Sequence, residues 1–169
     1  MHVVDVGTQE VVEQSSLRLT RQIALGWELV DDQTTEGRSP QKVYKTYDMS
    51  FTEGSALRQD LESWMGDEFN DRIKRFDLKS ILGKYCILTL GSSSGEDGEV
   101  NHFVNEISPL PSDLDQKILA KPLTRYGIFM ISEPYMDLFD NLPVEIQEQI
   151  KSSPEFVSAQ QSQSSEDDY

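Results

Sequence analysis

The apolar positions of this chain repeat first at every second residue, then at every third or fourth, then at every second again. Val3 to Val12 is rich in Val and Thr and predicts a strand kinked at Gly7. Glu13-Gln14-Ser15-Ser16 is polar and predicts a turn. From Leu17 to Val30, Leu17, Leu19, Ile23, Leu25, Trp27 and Leu29 share one parity. Arg18, Thr20, Gln22 and Glu28 take the other, and Arg21 interrupts the apolar side. This is the longest strand signal, with Gly26 a candidate bulge inside it. Asp31 to Gln41 is a polar loop containing Gly37 and Pro40. Lys42 to Phe51 predicts a third strand, with Val43, Tyr47, Met49 and Phe51 on one parity and Lys45 interrupting it.

The period then lengthens. Ser55 is placed to cap a helix from Ala56 to Met65, in which Leu57, Leu61 and Trp64 form one stripe and Gly66 supplies the stop. Asp77 is placed to cap a short helix from Leu78 to Leu82. Lys84–Leu90 and Val100–Ser108 predict two strands around the Gly- and Ser-rich loop 91–98, closed by Pro109 and Pro111. The order strand, strand, strand, helix, strand, strand predicts a mainly β fold with α: a five-stranded OB-like β-barrel with the helix between strands 3 and 4. A helix-covered open sheet gives much the same pattern. Past Pro111, short helices are expected over 137–139 and 144–150, with Pro143 at a first helical position and Ile146 and Ile150 one turn apart. From Val157 the chain is a low-complexity run of Ser and Gln ending Ser165-Glu166-Asp167-Asp168-Tyr169, expected to be disordered. The division is thus a barrel over 1–111, a helical or irregular extension over 112–156, and an acidic tail over 157–169.

Of the 169 residues, 37% are hydrophobic and 27% charged, and no apolar run reaches membrane-spanning length. The N-terminal residues lack a basic region followed by an apolar stretch, so a cytoplasmic, membrane-free setting is expected. The single cysteine, Cys86, excludes a disulfide framework and a cysteine-based zinc site within one chain. The net charge of −15 argues by itself against nucleic acid, whose phosphates need Lys and Arg. Distribution changes that picture. Eleven of the fifteen basic residues lie at or before Lys84, whereas the chain from Glu155 onward carries four acidic residues and no basic one.

Chemistry is sparse. His2 and His102 lie far apart, and there is no H-x-x-x-H, glycine-rich phosphate loop or G-x-S-x-G. Cys86 alternates with apolar residues and reads as a core position. The pair Asp167-Asp168 sits in a tail that cannot preorganise a metal site. No enzyme activity, cofactor or metal is expected. Basic and aromatic residues interleave more informatively: Arg18, Arg21 and Trp27 on the second strand, Lys42, Tyr44, Lys45 and Tyr47 on the third, Lys84 and Tyr85 opening the fourth, Phe103 on the fifth. Binding a single strand without base readout requires cations along the phosphates and flat rings for stacking, each stack worth roughly 1–3 kcal/mol. Trp27 and Tyr47 share the apolar parity and read as core or as stacking rings, while Tyr44 and Lys42 lie on the opposite side. In the tail, Glu166, Asp167, Asp168 and Tyr169 place carboxylates around a terminal ring, a pattern suited to docking in a partner's pocket.

Several of these runs carry a resemblance. Ile23-Ala24-Leu25-Gly26-Trp27-Glu28-Leu29, Tyr47-Asp48-Met49-Ser50-Phe51 and Ser55-Ala56-Leu57-Arg58-Gln59-Asp60-Leu61-Glu62-Ser63-Trp64 resemble a family of phage single-stranded DNA-binding proteins. So do Phe76-Asp77-Leu78-Lys79-Ser80-Ile81-Leu82-Gly83-Lys84-Tyr85-Cys86, Ile107-Ser108-Pro109-Leu110-Pro111 and the segment from Leu142 to Pro154. The resemblance implies an OB-fold, no catalysis, a role in phage replication or recombination in the host cytoplasm, and a tail that recruits replication or recombination proteins. The chain departs from familiar tails of this kind in ending on Tyr169 without a Pro-Phe pair. Homo-oligomers are compatible with this reading. The rival expectation is an acidic protein-interaction module, or a mimic of DNA, that binds a replication, recombination or host defence protein.

Overall fold

A computed structural model describes residues 1–29, 41–95, 100–112 and 126–164. β1 (His2–Glu13) and β2 (Ser16–Glu28) form a long antiparallel hairpin. Its turn is Gln14-Ser15, both with positive φ (48° and 73°), which matches the right-handed twist of the flanking strands. β3 (Lys42–Asp48) pairs antiparallel with β2, and β6 (Gly127–Phe129) pairs parallel with β1 over His2 to Val4. The resulting sheet has the order β3-β2-β1-β6. β4 (Ile87–Ser94) and β5 (Val100–Ser108) form a separate two-stranded sheet, with β5 running beside β3. The helices are α1 (Ala56–Met65), α2 (Asp67–Asn70), α3 (Met136–Phe139), α4 (Val144–Ser152) and α5 (Pro154–Ser164), with 3-10 turns at Ile73–Arg75 and Leu78–Ile81.

The five-stranded OB-like barrel expected from the sequence is not formed. The fold is mixed α/β: a four-stranded mixed sheet and a two-stranded sheet, with no hydrogen-bonded ladder closing them into a barrel among the described residues. The helix between the third and fourth strands is present, and the C-terminal helices follow, but their role differs. Alternation along a strand reveals an apolar side; it does not reveal whether the opposite side is covered too. Here it is. One side of the sheet, through Val3, Ile23, Leu25, Trp27 and Tyr47, packs on Leu57, Leu61 and Trp64 of α1 and on Phe69, Ile81, Val104 and Ile107. The other side, through Val4, Val6 and Ala24, packs on Phe129, Ile131, Leu138, Phe139, Leu142, Ile146, Ile150 and Phe156. The residues past Pro111 therefore supply a second core, and the sheet is the middle of three layers. Covered on both sides, β1 is buried from His2 to Gly7, with Val3 turned to one core and Val4 and Val6 to the other, and with His2 and Asp5 buried among them.

Two glycines are required by the geometry. Gly7 (φ +81°) sits where the β1–β2 register slips between Asp5 and Gly7, the kink expected there. A Cβ at Gly7 would also lie 2.5 Å from the Cβ of Ser153. Gly26 is no bulge: β2 pairs without interruption through it. It is a glycine because the ring of its cross-strand partner Tyr44 lies across it, where any Cβ would collide. The disorder expected from Val157 is not found over 157–164: α5 carries the chain as helix to Ser164, with Phe156 anchoring its first turn in the second core.

Candidate nucleic-acid interface

The binding residues expected on β2 and β3 do not converge on an open groove. Trp27 and Tyr47 are buried in the first core. Tyr47 donates its hydroxyl to Asp60 Oδ2 at 2.7 Å, and burial, with that bond, pushes its pKa up. Tyr44 is half-buried against the second core, its hydroxyl 2.8 Å from His2 Nδ1, and burial pushes it up to about 12. Their rings are packing elements, because a strand sandwiched between two layers has no free side on which a base could stack.

Most of the cations of these strands are occupied as well. Arg18 meets Asp48 at 2.7 Å and Glu13 at 3.4 Å. Arg21 donates to Asp5 at 2.6 Å and lies 3.6 Å from Glu155. Lys45 reaches Asp60 at 2.7 Å, and Lys84 bridges to Glu68 at 2.8 Å. Arg58 and Lys151 are paired along their own helices. A guanidinium or ammonium satisfied by a carboxylate offers little net attraction to a phosphate. Tyr85 is half-buried and its carbonyl accepts from the indole of Trp64 at 3.0 Å. Phe103 is the one expected ring that stands out, 47% exposed, laid over Gly91 on the neighbouring strand. Lys42 is exposed and has no ion pair among the described residues. Glu166, Asp167, Asp168 and Tyr169 lie outside the described residues.

A different set of cations is brought together. Eleven Lys and Arg residues are described, and six of them form ion pairs. Of the remaining five, four fall in one stretch: Arg72, Lys74, Arg75 and Lys79, all exposed. The stretch is held by alternate anchors. Ile73 and Phe76 pack against the first core, and Leu78 and Ile81 are buried in it. Phe76 stands edge-on to Phe69 at 4.8 Å and to Phe51 at 6.1 Å. Asp77 caps the second turn by accepting from the Lys79 amide at 2.9 Å. The 3-10 turns throw the intervening cations outward, and a cleft of about 550 Å³ lined by Asn70, Asp71, Arg72, Ile73, Lys74 and Arg75 opens among them. That volume is in the range of small-ligand clefts. The signal for this patch was present in the sequence as four cations in eight residues, but without helical or strand periodicity nothing tied it to a surface.

Among the described residues no group of three or more His, Cys, Asp and Glu is placed to hold a metal. Cys86 is half-buried against the first core, and burial pushes its thiol up to about 12. No helix among the described residues is long and apolar enough to cross a membrane. Comparison with protein-family models, curated proteins and solved structures found no match.

Proposed function

We propose that this chain binds single-stranded DNA without catalysis, and that the stretch from Arg72 to Lys79 supplies the cations that the phosphates meet. The observation that carries this reading is the concentration, on one anchored segment, of exposed cations that have no ion pair among the described residues, in a chain whose net charge is −15. Most other described cations are neutralised locally, so among the described residues this segment is the most favourable place for an approaching polyanion. Binding of that kind is sequence-tolerant and rests on phosphate contacts. Its place in phage replication or recombination, and recruitment of partner proteins by the acidic tail, follow from the motif resemblance.

Anisotropy of a labelled oligothymidine tests this. Tryptophan quenching is the wrong readout, because Trp27 and Trp64 are both buried. Four phosphate contacts give a slope of log K against log salt of about −3. Arg72→Glu/Lys74→Glu/Arg75→Glu is expected to abolish binding at low salt, while Arg18→Gln leaves it nearly intact. Undiminished binding by the triple variant refutes the site; no binding by the wild type refutes the function. In the second case the acidic-module reading stands, which the local neutralisation of Arg18, Arg21, Lys45 and Lys84 favours.

A further inference from the structure

We propose that the outer half of the β1–β2 hairpin is a docking surface for a protein that presents an apolar face ringed by lysine or arginine. β6 pairs with β1 only as far as Val4, and β3 reaches β2 only from Gln22 inward. Beyond those points, from Thr8 to Arg21, the hairpin is a two-stranded ribbon among the described residues. Its register sets Val12 against Leu17, Glu10 against Leu19 and Thr8 against Arg21, so these six side chains share one side. Val12, Leu17 and Leu19 on that side are 72%, 64% and 65% exposed. Three large aliphatic groups in one exposed row, beyond the last strand partner of either strand among the described residues, is an arrangement that soluble proteins avoid unless something covers it.

Charge decides what covers it. The only cation on that side, Arg21, is held by Asp5 and Glu155. Glu10 has no ion pair among the described residues and stands beside Leu19. The side therefore presents aliphatic groups next to an unopposed carboxylate, on a molecule of net charge −15. A second copy would bring one acidic body against another, and a nucleic acid would bring phosphates to an unopposed carboxylate. An apolar face rimmed with basic groups gains from both features: aliphatic anchors supply affinity, and the rim charges steer approach.

The test uses the full chain and two synthetic amphipathic helices, one of leucine and lysine, the other of leucine and glutamate. The Leu–Lys peptide is expected to bind the wild type, and Leu17→Ser/Leu19→Ser is expected to weaken it about tenfold, as loss of buried aliphatic anchors does. Glu10→Lys, which leaves the apolar row intact, is expected to weaken it as well, and the Leu–Glu peptide is expected not to bind. Both variants alter exposed positions, so their unfolding midpoints should match the wild type. Equal binding of the Leu–Lys peptide by wild type and variants overturns the proposal. So does sedimentation showing a wild-type dimer that Leu17→Ser/Leu19→Ser dissociates, which would make the occupant a second copy. Oligothymidine binding is expected to survive these substitutions, which separates this surface from the one at Arg72 to Lys79.

Discussion

His2 is 3% exposed, with its ring against the Tyr44 hydroxyl, and burial, helped by the positive charge of Lys42, lowers its pKa to about 4. The unfolded chain takes up this proton near pH 6.5, the native state only near 4. Between those values the unfolded state binds more protons, so stability is full above about pH 6.5 and declines as the pH falls. At about 1.4 kcal/mol per unit, the loss reaches on the order of 3 kcal/mol. Denaturant midpoints measured from pH 7 to 4.5 should show this slope, and His2→Asn should flatten it. Glu155 adds to the acid sensitivity. Burial works against its charged form, but the Thr8 amide and hydroxyl and Arg21 outweigh it and hold the carboxyl below its usual range. Its contribution is present above the ordinary Glu range and is lost as the pH falls through the lowered value. Tyr44 and Gly26 form a second pair that residue types alone did not disclose. Gly26→Ala forces the ring aside and should cost about 1–3 kcal/mol, as overpacking does. In Tyr44→Ala the same substitution should cost much less, and a double-mutant cycle by chemical denaturation measures the difference. The residue scale was legible in parity, which placed Ile23, Leu25, Trp27 and Tyr47 together, and illegible in partners. That Asp60 takes both Lys45 and Tyr47 depends on where a helix packs.

Among the elements, α1 was read almost completely, since an amphipathic stripe and a glycine stop are local signals; Ser55 stands at the cap position, but its hydroxyl donates to the Ser50 carbonyl instead of capping the helix. Leu57, Leu61 and Trp64 are buried as the spacing requires. The hairpin turn and the kink at Gly7 were legible for the same reason. The outer part of β2 was not. Leu17 and Leu19 continue the parity of Ile23 and Leu25, yet stand in the open, because periodicity runs on past the point where the covering helix ends. Leu57→Ala should therefore cost about 2–5 kcal/mol of unfolding free energy, the range for deleting core atoms. Leu17→Ala, identical in type, should change it by no more than about 0.5 kcal/mol. Equal effects on the denaturation midpoint would contradict the placement of the ribbon outside the core. The segment from Arg72 to Lys79 was missed for the converse reason: 3-10 turns have no run long enough to announce themselves, although Asp77 was correctly placed as a cap.

At the scale of the whole molecule, the missing information was the contact between distant parts of the chain. Every strand–helix alternation up to Ser108 was consistent with closure into a barrel; what replaced closure was β6, a three-residue strand from the far end, together with α4 and α5 against β1. A chain ending at Ser112 keeps the residues of the first core but uncovers Val4, Val6 and Ala24. It should bind a hydrophobic dye and lose its cooperative unfolding transition. The full chain should bind less dye and keep a cooperative transition.

The pairing of β1 with β6 also imposes an order of events in the cell. The first strand leaves the ribosome well before its parallel neighbour has been synthesised, and parallel pairing across most of a chain is intrinsically slow. Until then the side carrying Val4 and Val6 waits uncovered, a sticky nascent surface of the kind that chaperones shelter. Native structure should arise only after β6 and the helices up to Phe156 have emerged, and products stalled before that point should be cleared by proteases rather than accumulate as working fragments.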